Sequence, residues 1–395
     1  MKKSLVLVAV ASVALASCVN DVAELAQNNE QTSLITFDTP VLYNNSVGSR
    51  ADGDVTTGDG TTGDVTTGGD VAVHSSNEID DAYPKTESFK VYGLAHEGDF
   101  SSWTVGGEGN TNELLFNGTE VSYNQGLNGW SPATPVAWPF YKKCTFAAYS
   151  PASASTSAAS VAYGVNGLTI TDYTNPTYGS QVDLMYTDRA YNRTTSYHVT
   201  SSYNGVPLTF KHALSSIHFA LVASDAGIIL KNITISGFYN KATFTEGITN
   251  NSPYTASTSW GAHGTTLAEG ATQVSYTLFN DTDNDANNNI VFPQEMRRLG
   301  YLLEQKSLEH DGLLMIPQTL TSNVTLSVTY TMPAKDGQDS YDVTKNIPLD
   351  SYFSSKWEIG TRYYYILSIG SSTSQIYFAP YVEKWKTDDT VIQLQ

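Results

Sequence analysis

Two histidines six positions apart, His212 and His218, fall in a run (208–221) that reads as a strand. Six positions place them on one face, but strand rise separates them by about 20 Å, too far for one metal ion without a bend. The other five histidines are scattered. Asp281, Asp283 and Asp285 have the spacing that opens an EF-hand loop, yet Ala286 stands where that loop needs glycine and Phe292 where it needs a bidentate glutamate. A solvated Asn/Asp loop is the better account. No Gly-Xaa-Ser-Xaa-Gly elbow and no phosphate-binding loop occurs. The carboxylate pair of a glycosidase meets only in the folded protein, so spacing is silent about it. These residues predict no catalytic centre, no metal and no cofactor.

Cys18 is the residue with a definite chemistry. Met1-Lys2-Lys3 precedes an apolar run from Leu5 to Ala16, too short to span a bilayer, and Leu15-Ala16-Ser17 leads directly to the cysteine. A basic start, a short apolar stretch and small residues before the cut describe a secretory leader. Cys18 then sits as in the lipobox of a bacterial lipoprotein, where its thiol is acylated and becomes the new N-terminus. Several acyl chains hold a protein on a membrane far longer than one, which predicts attachment to the cell outer membrane. The only other cysteine, Cys144, has no partner left for a disulfide. It lies in a strand-like run (141–149) and is expected to be a buried, inert thiol.

The elements that carry these residues read as strands. Charged residues make up 15% of the 395, against about 25% in ordinary domains, while tyrosine reaches 25 copies. Such a composition suits strands with one solvated face. The net charge is −18, and −20 once Lys2 and Lys3 leave with the leader; without a basic stripe, a phosphate backbone would be repelled. Nucleic acid is therefore excluded as a partner. Val324, Leu326, Val328 and Tyr330 share one face of the clearest strand, with Thr325, Ser327 and Thr329 on the other. In 208–221 the apolar parity flips: Phe210 and Leu214 take one phase, Ile217, Phe219 and Leu221 the other. An extra residue near 214–216, or a strand that changes sheets there, would produce the flip.

Short strands between Gly, Asn, Asp and Pro clusters, with no long amphipathic helix, predict an all-β protein of two antiparallel β-sandwich domains in tandem. The expected organisation is a leader to residue 18, a segment 19–50 holding a first strand, and a tract 51–82 of Gly-Asp-Val-Thr-Thr-like repeats too polar to order itself. Sandwiches follow over 83–225 and 226–375, then a C-terminal segment 376–395. Leu34, Ile35, Phe37 and Val41 mark the first strand. A glycan-binding surface lipoprotein is the alternative function, in which exposed rings such as Trp103, Trp130 or Trp260 would stack on sugars, although most of the six tryptophans should be core.

Several motifs in order resemble the Bacteroides-type fimbrillins, the lipoprotein precursors of type V pili. They are the Cys18 lipobox, Leu34-Ile35-Thr36-Phe37, Trp138-Pro139 before Phe146-Ala147-Ala148-Tyr149-Ser150-Pro151, Asp183-Leu184-Met185, Phe210-Lys211-His212-Ala213-Leu214, Leu314-Met315-Ile316-Pro317-Gln318, and Trp357-Glu358-Ile359-Gly360-Thr361-Arg362-Tyr363-Tyr364-Tyr365. The resemblance implies that the two sandwiches are transthyretin-like and that a maturation protease cuts after an arginine following the first strand. Arg50 occupies that place. The strand then leaves, and the groove takes a strand from another pilin subunit. The implied product is a non-enzymatic fimbrial subunit, delivered through the lipid and displayed in a fimbrium that meets host or bacterial surface ligands. Ile376, Phe378, Val382, Trp385, Ile392 and Leu394 define the candidate donor. The same residues would equally complete the molecule's own C-terminal sheet.

Overall fold

The structure is a computed structural model and describes residues 34–42, 83–139, 141–194, 205–248, 258–261, 272–281, 289–304, 312–351, 356–369 and 376–384. Cys18 and Arg50, with Trp385, Ile392 and Leu394, lie outside them. The protein is all-β. Helix among the described residues is limited to Leu299–Glu304 and the 3-10 turns Ala152–Ser157 and Leu349–Ser351.

The largest sheet has eight strands. Its order is Val41–Leu42, Thr209–His212, Met185–Thr187, Lys143–Ser150, Ser88–His96, Glu113–Asn124 and Gly129–Pro132, with Ala190–Arg193 also paired to Lys143–Ser150. Its central strands are buried on both faces, so they lack the alternation of a solvated sheet. Phe89, Val91 and Ala95 join Cys144, Phe146 and Ala148 in a first core, while Tyr92 and Leu94 join Tyr149 in a second. Cys144 is buried as expected, and burial pushes its thiol up to about 12.

The second core lies against a four-stranded sheet ordered Ser259–Trp260, Lys241–Thr245, Gly167–Thr174 and Ser160–Gly164. This bridging sheet crosses the boundary expected at residue 225, because Lys241–Thr245 pairs antiparallel with Gly167–Thr174. The third core fills the space between two five-stranded sheets. One contains Arg297–Arg298, Ser215–Ala223, Thr361–Ile369 and Ile376–Lys384, with Leu313–Met315 beside Ser215–Ala223; the other contains Gln273–Asn280, Ile229–Tyr239, Thr325–Met332 and Tyr341–Pro348, with Ile290–Val291 beside Ile229–Tyr239. Val324, Leu326, Val328 and Tyr330 all face this core.

The parity flip after His212 is a change of sheet. Thr209–His212 belongs to the eight-stranded sheet and Ser215–Ala223 to the first of the two five-stranded sheets, hereafter the third sheet. Phe210 accordingly enters the first core, Leu214 the second, and Ile217, Phe219 and Leu221 the third. The switch also separates His212 from His218, correcting the expectation that they share one strand face. His212 meets the Asp183 carboxylate through Nδ1 at 3.0 Å, whereas His218 lies 2.7 Å from the Ser216 hydroxyl and stacks on Tyr364.

A buried amide ties the halves together. The Gln181 side chain donates to the Leu314 carbonyl at 2.7 Å and accepts the Leu314 N–H at 2.9 Å, imitating one rung of a β-ladder. Asn175 donates to the same carbonyl at 2.6 Å. Gln181→Leu keeps the volume but strips the Leu314 N–H of that acceptor inside the protein. The expected loss is about 2–4 kcal/mol, read from urea unfolding.

Candidate functional site: the seam closed by the first segment

Residues 34–42 join the two free edges of the eight-stranded sheet. On one side the Ile35 N–H donates to Val136, and Phe37 and Trp130 exchange backbone hydrogen bonds of 2.8 and 3.2 Å. On the other side the Val206 N–H donates to Thr36, the Asp38 N–H to Val206 and the Val41 N–H to Leu208. Val41–Leu42 then runs parallel to Thr209–His212, in register with Thr209 and Phe210. Phe37 thus bridges Trp130 antiparallel and Val206 parallel. Without the segment both edges would present unpaired backbone groups, the costly state of an open sheet.

Alternation decides which side chains fill the seam. Ile35, Phe37 and Leu42 are 1, 0 and 7% exposed, whereas Leu34 and Val41 are 39 and 37% exposed. Of the four residues read as marking the first strand, Ile35 and Phe37 are buried and Leu34 and Val41 are exposed, while Leu42, which the sequence pattern did not single out, is buried. The two residues between Asp38 and Val41 shift the parity, and a proline there, Pro40, is buried. Such a shift is invisible to a period-2 reading.

Phe37 is the centre of the seam. Its ring meets Phe89, Phe116 and Phe146 edge-on at centroid distances of 5.9, 6.1 and 5.6 Å. Gly93 makes room for this cluster, since a Cβ there would lie 2.5 Å from the Phe116 ring. Gly205 has a sharper reason: its Cβ would fall 2.5 Å from the Phe37 carbonyl carbon and 2.7 Å from the Asp38 nitrogen, both backbone atoms. Only glycine allows the first segment to approach so closely. A cavity of about 400 Å³ opens beside the start of the segment, lined by Leu34, Ile35, Tyr123, Leu127, Pro132 and Pro135 among others.

Ile376, Phe378 and Val382 lie on Ile376–Lys384, which in this structure pairs antiparallel with Thr361–Ile369 at the edge of the third sheet. Trp103, Trp130 and Trp260 are buried in cores, so none of the three is an exposed platform for sugars. Trp130 packs on Tyr83 and Phe89 in the first core, Trp103 on Tyr163, and Trp260 on Phe244 with its indole N–H donating to the Ala213 carbonyl. Their large apolar area fills interiors here. Among the described residues no group of His, Cys, Asp or Glu is arranged to hold a metal ion.

An all-β chain whose first described segment closes a sheet formed by later strands defines the structural class. A family model described as fimbrillin-like matches residues 85–385, and the chain belongs to the fimbrillin-like family. Among solved structures it is similar to a fimbrial protein from Bacteroides vulgatus, at 16% identity and a TM-score of 0.53 over 75% of this chain and 92% of that one. A candidate cell adhesion protein from Bacteroides ovatus is 11% identical with a TM-score of 0.44, covering 91% of this chain and 99% of that one. No curated protein matches the chain.

Proposed function

We propose that the chain is a structural or adhesive subunit of a type V fimbria, exported as a lipoprotein anchored through Cys18 and assembled by protease-triggered strand exchange. The observation that carries this reading is the seam: residues 34–42 precede Arg50 in sequence yet hold both edges of the eight-stranded sheet. Cleavage after Arg50 would separate this segment from everything that follows. Its departure would uncover Phe89, Phe116 and Phe146 and unpair the backbone at Trp130 and Val206. Another strand filling the groove would relieve both costs.

The C-terminal stretch suits the vacated place. Ile376-Tyr377-Phe378 repeats the Ile-Xaa-Phe spacing of Ile35-Thr36-Phe37, and among the described residues Ile376–Lys384 has a strand neighbour on one side only. A neighbouring subunit would therefore donate this edge strand, with Trp385, Ile392 and Leu394 continuing it. The lipid on Cys18 delivers the precursor to the outer membrane, and the mature subunit stands in a fimbrium, where its outer faces meet other surfaces.

The test uses the precursor and its maturation protease. The native chain is expected to lose its first 50 residues and form heat-resistant multimers on gels, while Arg50→Ala stays full length and monomeric. Multimers formed equally by the uncut variant would sink the proposal.

A further inference from the structure

We propose that the Glu246 carboxyl is a proton-operated latch within the bridging sheet, where Lys241–Thr245 pairs with Gly167–Thr174: as a neutral acid it closes that pairing, and as a carboxylate it loosens it. Glu246 follows Lys241–Thr245 and is fully buried. Its own N–H donates to the Leu168 carbonyl, and the Leu168 N–H donates to its Oε2 at 2.8 Å. The carboxyl lies in a space only glycine leaves open, because a Cβ on Gly167, whose φ is +86°, would lie 2.4 Å from Oε2. The second oxygen, Oε1, is buried without a protein hydrogen-bond partner. A neutral acid costs less in this seat than a carboxylate with one donor.

The Arg189 guanidinium makes hydrogen bonds to other groups. Arg189 donates from Nε to the Tyr163 hydroxyl at 2.9 Å and from Nη2 to the Gly164 and Val165 carbonyls at 2.8 and 3.0 Å. The rings of Phe100, Trp103 and Tyr163 surround it at 5.2, 5.5 and 5.4 Å. The Tyr191 hydroxyl is buried and interacts with the same guanidinium. Arg189 therefore spans from the eight-stranded sheet to the turn between Ser160–Gly164 and Gly167–Thr174, the turn on which Glu246 rests.

The other ionisable groups around Glu246 nearly cancel. Lys211 favours the carboxylate and Asp188 opposes it, but these two pair with each other at 2.6 Å. Tyr163 and Tyr191 stay neutral, both raised chiefly by burial. Lys241 and Asp172 form their own ion pair at 3.3 Å on the bridging sheet. Burial dominates, and it raises the carboxyl from 4.5 to about 7 despite the Leu168 N–H and Arg189.

The folded chain thus keeps a proton that the unfolded chain releases near 4.5. Stability is full below that value, falls as pH rises toward about 7, and is level above. The unfolding constant of the native chain should rise by roughly two orders of magnitude between about pH 5 and pH 8, relative to Glu246→Gln. Glutamine imitates the neutral acid, so the variant should have a flatter profile and exceed the native chain in stability at the higher pH. Infrared spectra of the folded native chain should show a protonated-carboxyl band that vanishes with a midpoint near 7 and is missing from the variant. Parallel pH profiles for the two proteins, or a stability that climbs as Glu246 ionises and pairs with Arg189 Nη1, would overturn the latch. If the variant fails to fold, the native infrared titration decides: no buried carboxyl changing state between about pH 6 and pH 8 excludes it.

Discussion

Phe37→Ala is expected to destabilise the eight-stranded sheet by about 3–5 kcal/mol, the range for deleting a buried phenylalanine. The ring is fully buried and touches three other phenylalanines, so its loss removes apolar burial and three edge-to-face contacts at once. Gly93 already has no side chain, and the neighbouring rings cannot collapse into the void without shifting their own strands. A deep site that relaxes poorly sits at the upper end of the range. The backbone bonds of residues 35–41 need no ring and should persist. Urea unfolding will show the loss as a lower midpoint with an unchanged slope, and amide exchange at Ile35, Phe37 and Asp38 will remain slow relative to the global opening rate. A midpoint within about 1 kcal/mol of the native one would show that Phe37 does not carry the seam.

Gly205→Ala is expected to act in the opposite manner, on the backbone before the core. The added carbon meets the Phe37 carbonyl carbon and the Asp38 nitrogen, atoms that no side-chain rotation can move away. The segment must retreat by an ångström or more, and the bonds from Val206 to Thr36 and from Asp38 to Val206 break together. Each is worth about 1 kcal/mol net, and more if a buried group is left unsatisfied. The visible result should be local: exchange at residues 35–41 accelerates by at least tenfold and proteases cut near the first segment. The sheets built on Ser215–Ala223 and Ile229–Tyr239 keep their protection. Unchanged exchange in 35–41 would mean the close approach at Gly205 is dispensable.

The two variants distinguish how the first segment is held. One removes the anchor and leaves the rungs; the other removes rungs and leaves the anchor. If strand exchange operates at this groove, Phe37→Ala should release the segment more readily after cleavage, because the departing strand no longer gives up the aromatic cluster.

Much of the architecture was legible in the pattern of side chains. The alternation through Val324, Leu326, Val328 and Tyr330 identified a strand and the face it buries. The flip between Phe210 and Ile217 identified an interruption, a bulge or a change of sheet, because a period-2 element cannot reverse its inward face without one; the structure shows the change of sheet. What could not be read was long-range partnership. Nothing local in Lys241–Thr245 shows that it pairs with Gly167–Thr174, and nothing near Glu246 shows that its carboxyl rests on that hairpin. Trp103, Trp130 and Trp260 are ambiguous for a related reason, since an indole serves equally as a core filler or as a platform until its neighbours are known. Gly205 carries no sequence signal beyond being a glycine; its meaning depends on a backbone far earlier in the chain.

The parallel pairing of Ser215–Ala223 with Thr361–Ile369 also constrains the order in which the protein can form. Ser216 opposes Arg362 and Ala223 opposes Ile369, so this ladder awaits nearly the whole chain and closes a very long loop. Such topology is slow, since loop-closure entropy is spent before the non-local contacts return it. The first segment faces a delay just as long, because its partners at Trp130 and Val206 come later in sequence than the segment itself. Hairpins such as Thr325–Met332 with Tyr341–Pro348 have no such wait. The piece at the start of the chain is thus among the last to find its place, and for an interval during folding the groove stands open with its own strand waiting outside.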